Sequence, residues 1–585
     1  MTDILFVNST DKLALDKEVN GTMLLATILR QAGHRAKILR FCQAESNGKD
    51  YDRFIEEMLD QIFAHSPKCV SFYTLWPYYH MMLRLAKEIK LRRPDILTVM
   101  GGPQATATAA ETMKAMDFVD YVCTGEGENT VVPFFEILLG ISDQNISTIP
   151  GLYYRKDGQV VHNDLRVPLT ELDHLPFWDE GLYLEDYPDP SKLLEHPTDR
   201  MPIDVGRGCP FQCTFCGTSR FLQRTYRLKS PERILAEIRY YHERFGFKHF
   251  MFSHDAFTVN MKLVDKVCDG IIESGLKITW QCTTRVNCVT EELLLKMKRA
   301  GMTGIQMGVE TGSERMQKVI KKNLDLSRII SVAKFCKTHK IPLNFFFING
   351  FPEETEQDLN ETMRLIFDLK DMGVEHLSLS YCMFTPGTEM TNRYFDQLVF
   401  DPTMDVYFYG DMGWEAEKDF IQRHKEIFPC FFHLNTPLRN EFRDLVALLI
   451  LYKWYPKTFY YIRRQYDGNE LQIFRDLHKA NLPFFQNGRT ALYDALRDRS
   501  LEFLDNLIDA SGYPNASALK SLVRYEQDLR SAKDSTEDVF QRKAYDFSFS
   551  EIKNRVPLES LSQTQSMILI QKFDGKLSVK LLESK

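Results

Sequence analysis

Residues 204–219, with the sequence DVGRGCPFQCTFCGTS, place three cysteines within eight positions. These cysteines, Cys209, Cys213 and Cys216, follow the spacing C-x3-C-x2-C. A zinc site normally takes four ligands, and no adjacent histidine or cysteine completes such a set. A [4Fe–4S] cluster has four irons to coordinate, so three thiolates leave one iron open for another ligand. The spacing therefore favours a cluster with one open iron.

The cysteine loop opens a repeating pattern of strands and helices that continues to about residue 400. Six apolar runs predict strands, and amphipathic segments that start at Ser, Thr or Asn separate them. Six such steps predict an open six-stranded α/β barrel, whose chemistry collects at the carboxyl ends of its strands. The cysteine loop follows the first strand and falls at that end. The predicted strands are PIDVG from Pro202, HFMFS from His249, ITWQCT from Ile278, GIQMGVE from Gly304, LNFFFING from Leu343 and HLSLSY from His376.

This part of the chain resembles the radical S-adenosylmethionine (SAM) superfamily, whose signature is the same C-x3-C-x2-C with an aromatic residue, here Phe215, between the last two cysteines. Four further segments resemble the family in the right order over about 200 residues. They are FSHDAFTVN from Phe252, GVETGS from Gly308, FFFINGFPEET from Phe345 and FTPGTEM from Phe384.

The resemblance implies that the open iron chelates the amino and carboxylate groups of SAM. An electron from the cluster then cleaves SAM to give a 5′-deoxyadenosyl radical, while the protein positions the substrate and excludes water. By the resemblance, Glu310 hydrogen-bonds the ribose or amine of SAM and Arg285 pairs with its carboxylate. The alternatives are an exposed strand-end carboxylate for Glu310, a surface ion pair for Arg285 and a plain turn for Gly350. For His254 and Asp255, which the resemblance makes substrate or SAM contacts, the alternative is a simple helix cap. The SAM-binding candidates are Phe215, Asp255, Arg285, Glu310, Asn349 and Gly350.

The first 140 or so residues alternate short apolar runs with helical patterns, which predicts a doubly wound parallel sheet. With the barrel behind it, this region resembles the cobalamin-binding domain that precedes many radical SAM barrels. Glycines at the ends of strands four and five would leave room for the nucleotide tail of cobalamin, and the loop after strand three would face cobalt. The cobalamin-binding candidates are Ser71, Thr74, Leu75, Trp76, Gly101, Gly102, Gly125 and Glu126.

Two features of this N-terminal domain suggest alternatives, of which the first stays open and the second is rejected. The loop after the first strand, NSTDKLALDKEVNG, has no histidine to bind cobalt, which allows a domain that binds no cobalamin. Cys42, Cys69 and Cys123 suggest the second cluster of a methylthiotransferase. Their places in the predicted strands argue against convergence, so each is better interpreted as a buried apolar thiol.

Length and composition indicate the number of domains, the kind of partner and the location of the protein. A chain of 585 residues exceeds one hydrophobic core. We predict a cobalamin-binding Rossmann-like domain over 1–142, a linker over 143–199, a radical SAM partial barrel over 200–400 and a mainly helical substrate or capping domain over 401–585. The net charge of −7 gives no reason to expect a nucleic-acid partner. The lack of a signal peptide or a long apolar span predicts a cytoplasmic protein without a membrane partner.

The architecture predicts a radical SAM enzyme that uses a [4Fe–4S] cluster, SAM and cobalamin to methylate an unactivated carbon. Two alternatives remain: an oxidative cyclase or rearrangement enzyme without net methyl transfer, and a catalytically silent cobalamin and iron–sulfur binding protein. The expected partners are a small-molecule or peptide substrate and an external electron donor such as flavodoxin or ferredoxin. The sequence identifies neither the substrate nor an acid or base.

Overall fold

The computed structural model describes most of the chain, in two compact units. The described residues are 2–10, 20–42, 50–76, 78–184, 200–401, 415–486, 489–535, 539–561, 564–573 and 576–584. The first unit comprises Met1–Val309, Gln317–Phe346 and Cys382–Asn435. The second comprises Glu310–Met316, Phe347–Tyr381 and Thr436–Lys585. These units do not coincide with the four segments expected from the sequence, whose boundaries stay a prediction.

A seven-stranded sheet forms the N-terminal part of the first unit. Its strands are β1 (Ile4–Thr10), β2 (Ala36–Cys42), β3 (Cys69–Tyr73), β4 (Leu97–Gly101), β5 (Tyr121–Cys123), β6 (Leu152–Lys156) and β7 (Gln159–His162). They lie in the order β2-β1-β3-β4-β5-β6-β7, and β1 to β5 pair in parallel. The predicted doubly wound sheet is confirmed. Its strand order reverses between β1 and β3, the place where sheets of this kind bind ligands.

Six helices connect and flank these strands. They are Asn20–Gln31, Tyr51–Ala64, Tyr79–Arg92, Pro103–Ala107, Ala109–Ala115 and Val131–Leu138. The second of them buries one apolar face, which Phe54, Met58 and Ile62 share because residues three and four apart lie on the same side of a helix.

The prediction of a plain linker over 143–199 is wrong in part. β6 and β7 pair antiparallel and extend the N-terminal sheet as a hairpin, with β6 also pairing with β5. A short helix, Gly181–Leu184, follows. Residues 185–199 of the expected linker and residues 11–19 of the loop without histidine lie outside the described residues.

A second sheet carries the cysteine loop. Strands β8 (Met201–Asp204), β9 (Gly206–Gly208), β10 (Tyr226–Leu228), β11 (His249–Ser253), β12 (Thr279–Thr284), β13 (Met302–Glu310), β14 (Leu343–Asn349) and β15 (His376–Tyr381) follow in the chain. Six of them form an open sheet in the order β15-β14-β13-β12-β11-β8, and β9 and β10 form a separate antiparallel pair. The pairs β8–β11, β11–β12 and β12–β13 are parallel. The predicted six-stranded barrel sheet is confirmed.

Seven α-helices lie between these strands in the described residues, and five of them fall on the helical segments that the sequence predicts. They are Thr218–Phe221, Pro231–Phe245, Met261–Ser274, Glu291–Arg299, Glu314–Val319, Leu326–Thr338 and Glu356–Asp371. The Ser230 hydroxyl accepts the hydrogen bond that begins the second helix, and Gly246, with a φ of +76°, ends it. In the core, Trp280 stacks on Phe252 with ring centroids 4.6 Å apart. The indole N–H of Trp280 donates to the Ala300 carbonyl, so this large side chain is buried without an unpaired donor.

In the remainder of the first unit, the described residues form two α-helices, Glu389–Tyr394 and Lys418–Arg423, and the antiparallel pair β16 (Leu398–Phe400) and β17 (Phe432–Leu434). Gln104 donates a 2.6 Å hydrogen bond to the Ile427 carbonyl, which ties this segment to the N-terminal sheet. Residues 402–414 lie outside the described residues.

The C-terminal part of the second unit is mainly helical, as predicted. Its helices are Pro437–Glu441, Val446–Trp454, Pro456–Arg463, Glu470–Ala480, Leu482–Phe485, Arg489–Ser511, Ala516–Asp534 and Phe549–Lys553. β18 (Val539–Tyr545), β19 (Ser566–Phe573) and β20 (Lys576–Ser584) form an antiparallel sheet. Within the described residues, no helix has the length and apolar character needed to cross a bilayer.

Candidate functional site

A cavity of about 600 Å³ lies within the first unit, between residues of its two sheets. Its lining comes from the carboxyl ends of β3, β4 and β5 and from the flanks of the cysteine loop, namely Gly208, Gly217 and Thr218. Eight of the residues predicted from the sequence line it: Ser71, Leu75, Trp76, Gly101, Gly102, Gly125, Glu126 and Asp255. The predicted cobalamin-binding residues and the residues next to the cluster cysteines thus line the same cavity.

Glycines give this cavity a wall without side chains. A Cβ on Gly101 would have open space around it, with the Cys123 backbone oxygen at 4.0 Å as its nearest neighbour. Gly102 has a φ of +100°, and a Cβ there would lie 2.9 Å from the Thr74 carbonyl oxygen. Only glycine suits Gly102, whereas at Gly101 a side chain would enter space that a ligand can occupy. The wall fits a bulky planar or nucleotide-bearing group.

Thr74 is the cobalamin candidate that the structure corrects. Its side chain is fully buried, and its hydroxyl donates to the Gly101 carbonyl at 2.8 Å and accepts from the Ala105 N–H at 2.9 Å. It does not line the cavity. Because both bonds hold the glycine wall in place, Thr74 supports the site instead of contacting a ligand.

Unpaired polar atoms lie on three residues that line the cavity. The sequence did not predict these residues as cobalamin contacts. Within the described residues, Asn20 Oδ1, Glu128 Oε2 and His254 Nε2 are buried and have no hydrogen-bond partner. Buried polar atoms are rarely left without partners, so such atoms point to a ligand. Cobalamin, with its many amide groups, is a ligand that can supply both donors and acceptors.

His254 is held in one protonation state. Burial lowers its pKa to about 4, against the opposing effect of Asp204, so the ring is neutral at physiological pH. Its Nδ1 accepts a 2.9 Å hydrogen bond from the Ala256 N–H, which places the ring proton on Nε2. His254 therefore offers the cavity a neutral N–H donor.

The three cysteines are half-buried thiols outside any disulfide, on a loop that is anchored at its start and near its middle. Gly208 has a φ of +85°, and a Cβ there would lie 1.9 Å from the Thr225 oxygen, so only glycine allows the loop to leave β9. The backbone N–H of Thr214 donates to the Ile320 carbonyl, and the Thr214 carbonyl accepts from the Met390 N–H, both at 3.0 Å. Phe215 is half-buried in this loop, and its contact with SAM stays a prediction.

The cysteine loop is compatible with a cluster that its three thiols share. Burial raises the pKa of the Cys209 thiol to about 11. The hydrogen bond from the Phe211 N–H acts to lower this pKa, and the charges of Cys216, Asp255 and Cys213 raise it further. The thiols are thus within electrostatic reach of one another. No three His, Cys, Asp or Glu side chains in the described ranges converge as a single metal ion requires. In a [4Fe–4S] cluster each thiolate binds a different iron, so the thiolates need not meet at one point.

Arg285 has contacts that the sequence did not predict. Its side chain is buried, its guanidinium stacks 3.7 Å from the centre of the Phe211 ring, and Nη1 lies 3.5 Å from Cys213 Sγ. Nη2 donates to the Lys322 carbonyl. The alternative of a surface ion pair is therefore wrong. A contact between Arg285 and the carboxylate of SAM stays a prediction.

Glu126 lines the cavity, but its carboxylate belongs to a buried ion network. It accepts from Arg207 Nη1 at 2.9 Å and from Arg227 Nη1 at 2.8 Å. Burial acts to raise the pKa of Glu126, yet the hydrogen bonds from Arg227 and Arg207 hold it below its ordinary value. Arg207 also contacts Glu128 at 2.7 Å and Asp204 at 3.3 Å. The carboxylate of Glu126 thus joins the loop after β5 to the β9–β10 pair, and its contact with cobalamin stays a prediction.

Replacement of Arg207 by methionine is expected to lower the free energy of unfolding by about 3–5 kcal/mol at neutral pH, because three buried carboxylates lose their shared counter-charge. In the wild type, the depressed pKa of Glu126 contributes stability that is lost as pH falls through its folded value. In Arg207→Met, buried Glu126 keeps only Arg227, so its pKa rises and it takes up a proton more readily, and the deficit should shrink as pH falls from about 7 to about 5.

Thermal melts of the two proteins at both pH values check this. Arg239→Met, at an exposed position beside Glu243, is the control and should change stability by less than about 0.5 kcal/mol. A deficit in Arg207→Met that is absent, or that is the same at both pH values, would contradict the network's role.

Three SAM candidates belong to the second unit. Glu310 ends β13 with a φ of +71° and is 7% exposed, so the alternative of an exposed carboxylate is wrong. Asn349 ends β14 and is buried. Gly350 has a φ of +81°, and its N–H donates a 2.6 Å hydrogen bond to Glu354 Oε2, so it forms a stabilised turn. Their contacts with SAM stay predictions.

The N-terminal cysteines give no sign of a second cluster in the described side chains. Cys69 opens β3 and is fully buried, and Cys123 ends β5. Burial raises the pKa of both thiols, as expected for apolar packing. The side chain of Cys42 is outside the described part of the structure.

Comparisons with known proteins agree with this site. Residues 203–366 match the model of the radical SAM superfamily, and residues 10–134 match that of the B12 binding domain. An uncharacterized methyltransferase of Pyrococcus horikoshii is 28% identical over 374 residues, which cover 63% of this chain and 77% of the relative. An anaerobic magnesium-protoporphyrin IX monomethyl ester cyclase of Rubrivivax gelatinosus is 25% identical over 378 residues, which cover 62% of this chain and 63% of the relative.

The fold is also similar to that of a solved structure. The cobalamin-dependent SAM radical enzyme OxsB, with aqua-cobalamin and SAM bound, superimposes with a TM-score of 0.55 at 15% identity. The superposition covers 91% of this chain and 80% of that one. The two family matches place the B12-binding domain on the sheet with the glycine wall and the radical SAM domain on the sheet with the cysteine loop. The chain is therefore a B12-binding radical SAM enzyme, and its two domains imply a [4Fe–4S] cluster, SAM and cobalamin as its cofactors.

Proposed function

We propose that this enzyme transfers a methyl group from SAM, by way of cobalamin, to an unactivated carbon of its substrate. The observation that carries the proposal is the shared cavity, which Gly101 and Gly102 line together with Gly208 and Gly217, the neighbours of two cluster cysteines. Such a transfer needs the methyl donor and the substrate radical within reacting distance, which requires one space. When bound, the cluster supplies the electron that cleaves SAM, and cobalamin supplies the transferable methyl group.

The residues of the chain hold and shield the reactants. Leu75 and Trp76 give the cavity an apolar wall next to the glycines, which would exclude water from a reactive radical. His254 Nε2–H is a neutral donor for a carbonyl oxygen, and Glu128 Oε2 is an acceptor for an amide N–H. Neither group needs to exchange a proton, because the chemistry resides in the cofactors.

The likeness to the Pyrococcus horikoshii methyltransferase supports methylation, and the likeness to the Rubrivivax gelatinosus cyclase supports the alternative of ring formation without net methyl transfer. The two reactions differ in what becomes of SAM. A methyltransferase of this kind consumes one SAM for the methyl group and another for the radical, and releases both S-adenosylhomocysteine and 5′-deoxyadenosine. A cyclase releases 5′-deoxyadenosine alone.

We expect the reduced, reconstituted enzyme to form S-adenosylhomocysteine only when cobalamin is present, in about one equivalent per bound cobalamin without substrate. Anaerobic incubation with SAM and titanium(III) citrate, with and without hydroxocobalamin, followed by chromatography, measures both products. Release of 5′-deoxyadenosine without cobalamin-dependent S-adenosylhomocysteine would favour the cyclase. Absence of both products would favour a silent binding protein.

The partners follow from the same proposal. The substrate is a small molecule or a peptide with an unactivated C–H bond, and an external one-electron donor of the flavodoxin or ferredoxin class reduces the cluster. The cavity offers few charged side chains outside the ion network, which favours a largely apolar reacting group.

A further inference from the structure

Arg285 is a buried cation whose surroundings lack an anion. Its side chain is 4% exposed, and across the described ranges no carboxylate oxygen lies within the 4.0 Å of a salt bridge. Its partners are the Lys322 carbonyl, the Asn287 side-chain oxygen, the face of Phe211 and the sulfur of Cys213. A buried guanidinium normally needs a compensating negative charge, because removing it from water is costly.

Cys213 supplies that charge once it binds iron. Its sulfur lies 3.5 Å from Arg285 Nη1, within reach of an N–H···S hydrogen bond. Iron binding removes the thiol proton, so the sulfur becomes part of an anionic centre. Phe211 and the Lys322 carbonyl fix the plane of the guanidinium, so its donor is oriented before the cluster is present.

We propose that Arg285 is a positioning residue for the cluster: its guanidinium hydrogen-bonds the Cys213 thiolate, compensates the charge of the cluster and so favours the reduced state. Reduction adds one electron, from a flavodoxin-type donor in the cell and from dithionite in the test, and breaks no bond. The added negative charge is stabilised by a nearby cation and by hydrogen bonds to the ligating sulfur, which set the potentials of such clusters. The inference requires that the three cysteines bind the proposed cluster, but it does not require that the enzyme transfers a methyl group.

The test is a redox titration of the reconstituted holoenzyme, followed by electron paramagnetic resonance of the reduced cluster. In Arg285→Gln, the ratio of reduced to oxidised cluster at a fixed potential should fall about tenfold, which for a one-electron couple is about 59 mV. Arg285→Lys keeps the positive charge but lacks the planar set of guanidinium donors. The reduction potential of its cluster should therefore lie between those of Arg285→Gln and the wild type.

Arg328→Gln is the matched control. This neighbouring arginine donates to the carbonyls of Val286 and Val289 and makes no contact with a cluster cysteine. Its removal should leave the potential unchanged. A wild-type potential in Arg285→Gln with full iron content would overturn the proposal, as would an equal shift in Arg328→Gln. If Arg285→Gln does not fold, Arg285→Lys decides: a lowered potential supports the proposal and a wild-type potential refutes it.

Discussion

Replacement of Gly101 by leucine is expected to abolish cobalt retention while iron content stays at the wild-type level. Gly101 ends β4 in the wall of the cavity, and a Cβ there would meet no protein atom closer than the Cys123 oxygen at 4.0 Å. The added side chain therefore enters the ligand's space without straining the fold. Overpacking of this kind costs about 1–3 kcal/mol, which weakens binding about fivefold to 150-fold.

The measurement is cobalt and iron per chain after reconstitution with hydroxocobalamin and gel filtration. Gly101→Ala provides a graded control, because a single methyl group should reduce retention less than leucine does. The melting temperatures of both apo variants should match that of the wild type. Full cobalt retention in Gly101→Leu would show that cobalamin does not bind against this wall.

Replacement of Cys213 by alanine is expected to reduce iron from about four per chain to well below one and to abolish the release of 5′-deoxyadenosine. The loop has three thiols for four irons, so losing one leaves two irons without a protein ligand. The backbone of the loop should persist, because its anchors, the Thr214 bonds to Ile320 and Met390, involve only main-chain atoms.

Cys336→Ala is the matched control for this variant. Cys336 is a buried thiol on the helix Leu326–Thr338. It belongs to the same unit as the cysteine loop but does not lie in the loop. It should keep the iron and the release of 5′-deoxyadenosine. Retention of four irons by Cys213→Ala would mean that the loop does not hold the cluster.

The parallel strands of both sheets follow from local sequence. β3, β11 and β15 have the bounds that their apolar runs predict, and Ser230 and Asn260 cap the helices that they precede. These features depend on residues a few positions apart, where the side-chain period of a strand or helix decides what is buried. The hairpin of β6 and β7 was missed because its residues alternate weakly and sit among Asp and Pro that favour loops.

The side-chain partners of the site could not be predicted in this way. Glu126 meets Arg207 across 81 positions, and Arg285 meets Cys213 across 72. Such contacts depend on how the strands are ordered in space, which a single sequence leaves open. Thr74 illustrates the same limit: a hydroxyl at a ligand-binding edge suggests a ligand contact, and only its hydrogen bonds to Gly101 and Ala105 reveal that it supports the wall instead.

The joint presence of cluster and cobalamin in one cavity is tested most directly by counting metals in the wild-type protein. The chain is reconstituted anaerobically with iron and sulfide, mixed with hydroxocobalamin, gel-filtered and analysed for iron and cobalt. The three-cysteine loop and the glycine wall predict about four irons and about one cobalt per chain. Four irons without retained cobalt would contradict methyl transfer by way of cobalamin, and would leave a radical SAM enzyme whose N-terminal domain does not bind the cofactor.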